Sequence, residues 1–185
     1  RGQRRANERR DGMLRFADDF ELVWLEKSFL ESVRSQLESH PLFDKNDLVR
    51  MGAGHNIAAI EAHIEHEGAL PLHHDAQVIG CFHRGHDEDP FLTPIILLEN
   101  LACKATGILA IRSLFERYGS EGVNPLTIDY VINSGEEAVG DRYQRGGGNL
   151  AKAMAELCAC ANSTGSDVKA FCCGPIHSIV IAAGL

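Results

Sequence analysis

The sequence lacks any apolar run reaching the ~18 residues of a membrane-spanning helix, and no signal peptide is visible at its start. It also lacks positive charge. Eighteen lysines and arginines face 26 aspartates and glutamates, and the formal net charge of −8 argues against a general nucleic-acid role. Disulfide spacing is missing too. Cys81, Cys103, Cys158, Cys160, Cys172 and Cys173 lie within apolar or helical segments, which suits a reducing compartment, so a cytoplasmic location is expected. Cys158 and Cys160, two apart, would diverge by about 200° on a helix and share no ligand. There is no initiating methionine at Arg1, and Leu185 falls inside an apolar helical run. The expectation drawn from these ends is an internal fragment or truncated frame, with catalytic partners of any site partly elsewhere.

What is present is 185 residues, the size of one ordinary domain and enough to bury a core. Residues 1–17 open with RGQRRANERR, five arginines in ten, and read as a solvated, disordered tail. Residues 18–90 read as a helical and β-hairpin extension. Leu22, Leu25, Phe29, Val33 and Leu37 recur at three and four, predicting a helix from Phe20 with Asp18 or Asp19 as its cap. His40-Pro41 ends it. The GxG at Gly52–Gly54 is too weak for a phosphate site. A second helix is expected from Asn56 to His66, closed by Gly68, and then a hairpin with its turn at His74-Asp75. His63, His66, His73, His74, His83 and His86 invite a metal hypothesis, since His63 and His66 share a helix face. No carboxylate or thiol at an established spacing accompanies them. The expectation is therefore surface histidines and no metal.

From residue 91 to 185 the pattern changes. Ile95–Tyr118 predicts a long helix buried on most sides. Ile128–Asn133 predicts a strand, Ser134–Gly148 a polar glycine-rich loop, and Leu150–Ala161 a helix rich in small residues. Val168–Phe171 is too short an apolar run for a helix and reads as a buried strand. Cys172 and Cys173 follow, then Gly174 and Pro175 as a turn, then an apolar core helix from Ile176 to Leu185. This alternation implies an α/β layered sheet with parallel strands, whose ligands collect at the strands' carboxyl ends. Cys172 falls at such an end and at a helix start, where unpaired N–H groups favour a thiolate nucleophile. Read from its own stretch, the Cys172-Cys173 pair is equally consistent with buried structural cysteines.

The segment IDYVINSGEEAVGDRYQRGGGNLAKAMAELCACANSTGSDVKAFCCGPIHS, with ENLACKATGILA, HDED and VIGCF before it, resembles the beta subunit of component C of the glycine/sarcosine/betaine reductase complexes. The likeness covers roughly Phe16 to Leu185, an interior part of that subunit. From residue 95 onward the chain is also similar, more distantly, to the first half of ketoacyl synthase III enzymes of the thiolase-like fold. There the same element order delivers a nucleophilic cysteine. The resemblance implies a first-half thiolase-like domain with Cys172 as nucleophile and Cys173 in a place usually held by alanine. It implies acetyl transfer from a carboxymethyl-selenoprotein through a cysteine thioester to phosphate, giving acetyl phosphate. The expected partners are the component C alpha subunit and selenoprotein component A, in a homo- or hetero-oligomer without nucleic acid or membrane. No cofactor is expected on this chain; the selenocysteine belongs to component A, and phosphate is a substrate.

Two alternatives accompany that expectation: a ketoacyl-synthase-like condensing enzyme, and a non-catalytic scaffold that docks the selenoprotein. Arg145, Gly146, Gly147, Gly148 and Asn149 suit either a phosphate or carboxylate loop or a tight helix entry at a dimer seam. Glu136 and Glu137 suit orientation of a base, partner binding, or a solvated loop. His177 lies about one helical turn past Cys172 and is expected to be packed or partner-facing. The choice among glycine, sarcosine and betaine is not written in this sequence.

Overall fold

The computed structural model describes residues 23–83, 93–135 and 149–185. The arginine-rich start, His86, Glu136, Glu137, Arg145 and Gly146 to Gly148 lie outside the described residues. The chain divides into two compact units between Leu98 and Glu99.

The first unit holds strand β1 (Val23–Leu25), helices α1 (Lys27–Ser39), α2 (Lys45–Arg50) and α3 (Ile57–Glu67), and strands β2 (Leu70–His74) and β3 (Gln77–Phe82). The strands form an antiparallel sheet in the order β1-β3-β2. The hairpin turn has Asp75 in the left-handed region at φ 53°. Asn56 caps α3 through the Ala58 N–H, and Gly68 ends it in a left-handed conformation.

The helix expected from Phe20, a residue outside the described ones, does not run through Val23–Leu25. Val23, Trp24 and Leu25 pair with Phe82, Cys81 and Gly80, and α1 starts only after Glu26, whose carboxylate accepts the Phe29 N–H. A glycine partner decides this: a Cβ on Gly80 would sit 2.2 Å from the Trp24 carbonyl oxygen. Only the bare backbone at 80 lets β1 close on β3. Leu30, Ile60, Ala69, Cys81 and Phe82 are buried here, with Trp24, Ile64 and Val78 packed around Ile60 and Cys81.

Helix α4 (Pro94–Tyr118) leads into the second unit, followed by two short 3-10 turns, strand β4 (Tyr130–Gly135), helix α5 (Leu150–Leu157), strand β5 (Thr164–Lys169), a 3-10 turn (Phe171–Cys173) and helix α6 (Gly174–Gly184). Strands β4 and β5 are parallel, in register from Tyr130 opposite Thr164 to Gly135 opposite Lys169. The mixed α/β character expected from the alternating pattern is present. Helix α5 lies against the pair through Ala151, and a Cβ on Gly165 would meet the Val131 oxygen at 2.5 Å and the Ala151 Cβ at 3.0 Å.

Four expectations need correction. The buried strand expected at Val168–Phe171 is instead Thr164–Lys169, half-buried, and Phe171 is exposed in the turn that follows it. Helix α4 buries one stripe, with Asn100, Lys104 and Ile108 inside, while Ile95 and Leu114 are about half exposed at 54% and 49%. Helix α5 stops at Leu157, because Ala159 turns left-handed at φ 61° and the Cys160 N–H closes back on the Ala155 carbonyl. Helix α6 is not a core helix within this chain: Ile176, Ile179, Val180 and Leu185 are all exposed. No helix among the described residues is long and apolar enough to cross a membrane.

Candidate functional site

Strand β5 delivers its chain to Ala170, and Phe171, Cys172 and Cys173 make one 3-10 turn that runs directly into α6. The Cys173 N–H bonds to the Ala170 carbonyl at 2.9 Å, and the Gly174 N–H bonds to the Phe171 carbonyl. Phe171 occupies φ +44°, a region that costs a bulky residue of order 1–3 kcal/mol. Strain of this kind persists where surrounding contacts over-determine the backbone. Gly174 is buried, and a Cβ there would lie 3.3 Å from the Gly135 oxygen and 3.5 Å from the Ser134 Cβ. The turn thus sits over the carboxyl end of β4 as well as following that of β5.

Both cysteines of the turn are exposed, and none of the six cysteines is in a disulfide. The start of α6 differs from the other described helices of eight residues or more with assigned caps. Glu26, Asn56 and Asn149 cap α1, α3 and α5 with side-chain oxygens. No side chain caps α6, and no acidic residue occupies its first turn. Lys169, opposite Gly135 at the end of β5, brings its Nζ to 3.4 Å from where a Gly135 Cβ would stand. The end of the parallel pair therefore brings Ser134, Gly135, Lys169 and Gly174 together, and Phe171 and Cys172 lie in the turn between β5 and Gly174. An exposed thiol in a turn at a helix start is a candidate nucleophile.

Asn149 is placed differently. Its Oδ1 accepts the Lys152 N–H at 2.9 Å, and its Nδ2 donates to the Gly165 carbonyl at 2.7 Å. The Asp167 carboxylate accepts the Leu150 and Ala151 N–H groups at 2.8 and 3.1 Å, and Asn133 Nδ2 at 2.8 Å. Three first-turn donors of α5, the ones an anion would use, are spent inside the protein. His177 is exposed on α6. Cys158 and Cys160 are buried; the Cys158 thiol donates to the Ile108 carbonyl, and burial pushes the Cys160 thiol upward.

In the first unit, two of the six histidines expected on the surface are packed instead. The Trp24 indole stacks on His55 at 4.1 Å and meets the edges of His63 at 4.2 Å and His83 at 4.6 Å. The His63 and His83 rings are themselves 4.5 Å apart. Glu67, one turn beyond His63 on α3, places Oε2 2.8 Å from His63 Nδ1. Burial, with His63 nearby, holds the His55 and His83 imidazoles below the usual histidine range. The buried Cys81 thiol, 3.7 Å from His83 Nε2, is pushed up to about 11 by burial and by Glu67. His66 is exposed beside Glu65, and His73 and His74 are exposed on β2.

Sequence reasoning missed Lys169, Phe171 and the grouping of His63, Glu67 and His83. The signal for the last was an i, i+4 His–Glu pair, overlooked in favour of His63 and His66. Lys169 was visible as the one cation in the short run Val168–Phe171. Nothing in the residue type of Phe171 announced its positive φ.

No protein-family model matches this chain, and no solved structure matches it. Among curated proteins, the glycine/sarcosine/betaine reductase complex component C subunit beta of Peptoclostridium acidaminophilum is 43% identical over 169 residues, or 91% of this chain. The resemblance read from the sequence is thereby borne out. The chain spans about a third, 32%, of the length of that relative.

Proposed function

We propose that this chain is part of a component C beta subunit, with a thiolase-like arrangement in its second unit and Cys172 as the thiol that carries an acetyl group. The observation that carries the proposal is the exposed Cys172 in a strained turn between a parallel strand end and a helix start without a side-chain cap. The likeness to the curated beta subunit supports the choice of chemistry.

In this reading the acetyl group originates as a carboxymethyl group on a selenoprotein partner. A second thiol of the complex takes the selenium as a selenenyl sulfide, and the freed CH2 carbon is protonated. Hydroxide leaves the carboxyl carbon, and that carbon bonds Cys172 Sγ as a thioester. An oxygen of phosphate attacks the thioester carbonyl carbon, the C–S bond breaks, and its electron pair returns to Sγ. Acetyl phosphate leaves. In this reading N–H groups of the first turn of α6 beyond Pro175 stabilise the tetrahedral oxyanion, an effect worth about 3 kcal/mol per donor where it operates. Lys169 offers a positive charge for the incoming phosphate at the same strand ends. The alpha subunit and the selenoprotein are the partners this chemistry requires, and the setting is a reducing cytoplasm.

The test uses the full-length subunit in its reconstituted complex. Cys172→Ser is expected to abolish acetyl phosphate formation, while Cys173→Ser retains most of it. Undiminished product from Cys172→Ser overturns the assignment and points to a docking role for this chain.

A further inference from the structure

We propose that His63, Glu67 and His83 form a binding site for one divalent transition cation of the zinc class. One donor atom from each lies within 4.8 Å of the others. Ligand atoms around a tetrahedral zinc at about 2.0–2.1 Å stand roughly 3.3 Å apart. The His63–Glu67 pair is already at 2.8 Å, and with all three donors within 4.8 Å the His83 nitrogen needs a shift of no more than about 1.5 Å to reach that spacing.

The frame is rigid where a site needs it. His63 and Glu67 sit one turn apart on α3, a helix fixed at both ends by Asn56 and Gly68. His83 directly follows β3, whose register against β1 and β2 is set on both sides. Trp24 walls the cluster, so the rings have few other orientations open to them. His63 Nδ1 is buried and completes no hydrogen bond of good geometry despite its proximity to Glu67. A buried polar nitrogen without such a bond is costly, and a metal–nitrogen bond would satisfy it.

Donor chemistry selects the cation. Two imidazoles and one carboxylate suit zinc and its neighbours; calcium and magnesium prefer all-oxygen shells. Three protein ligands leave a fourth position for water or an added ligand. This inference is independent of the role given to Cys172.

Trp24 is the single tryptophan, so its emission reports on this cluster alone. The chain, in a Cys172→Ser/Cys173→Ser background that removes the vicinal thiols, is titrated with Zn2+ by calorimetry and by fluorescence. A saturable Trp24 response at one equivalent is expected. Glu67→Gln changes an exposed side chain without changing its size; it and His83→Gln should each raise the zinc dissociation constant at least about tenfold, the loss typical even of outer-shell partners. His66→Gln should leave binding unchanged. Circular dichroism checks folding, and if His83→Gln unfolds, Glu67→Gln decides. No Trp24 response in the parent, or parental affinity in Glu67→Gln, overturns the site.

Discussion

Single positions decide the two places where this chain does something unusual. Gly80 admits β1 to the sheet because a side chain there would collide with the Trp24 carbonyl. Gly80→Ala should therefore destabilise the first unit by roughly 1–3 kcal/mol, the usual cost of overpacking. A urea midpoint followed by Trp24 emission checks this, and an unchanged midpoint would mean that the strand shifts at no cost. Cys172 was legible as a candidate because a short apolar run, two thiols, Gly-Pro and an apolar helix follow one another. The strain at Phe171 was not, since residue identity says nothing about a φ imposed by packing on β4. Nor was the His63–Glu67–His83 grouping, because His83 reaches it only through the fold of the hairpin.

At the level of elements, local chemistry was readable where caps and breakers are explicit. Helix α3 begins at Asn56 and ends at Gly68, as their residue types announce. The start of α1 was misplaced because Leu22 and Leu25 prolong the helical spacing into a segment that a neighbouring strand captures. Tertiary pairing overrode periodicity there. The end of α5 was misplaced because alanine, not glycine, takes the left-handed position at Ala159. Asp167 links elements that sequence alone leaves apart, joining β5 to the start of α5 and to Asn133 on β4. Asp167→Ala should cost about 0.5–2 kcal/mol, the range for a lost helix cap, read as a lower urea midpoint by far-UV circular dichroism. An unchanged midpoint would show that water replaces the carboxylate without loss.

For the whole chain, the alternation of helix and strand from residue 95 was enough to anticipate a parallel pair, and β4 with β5 provides it. Burial was harder to foresee. Apolar content in α4 and α6 implied core helices, yet burial depends on what packs against them, and several of their large side chains are exposed. The division between Leu98 and Glu99 leads to another expectation. Trp24 emission, confined to the first unit, and far-UV circular dichroism, which sees both, should give non-coincident unfolding transitions. Coincident curves would mean that the two units unfold as one.

The central claim concerns one sulfur atom. The full-length subunit, incubated with acetyl phosphate in its complex and quenched in acid, is digested and its peptides are mapped by mass spectrometry. The account predicts a hydroxylamine-labile acetyl group on Cys172. Acetyl on Cys173, or on neither thiol while the complex turns over, would contradict it.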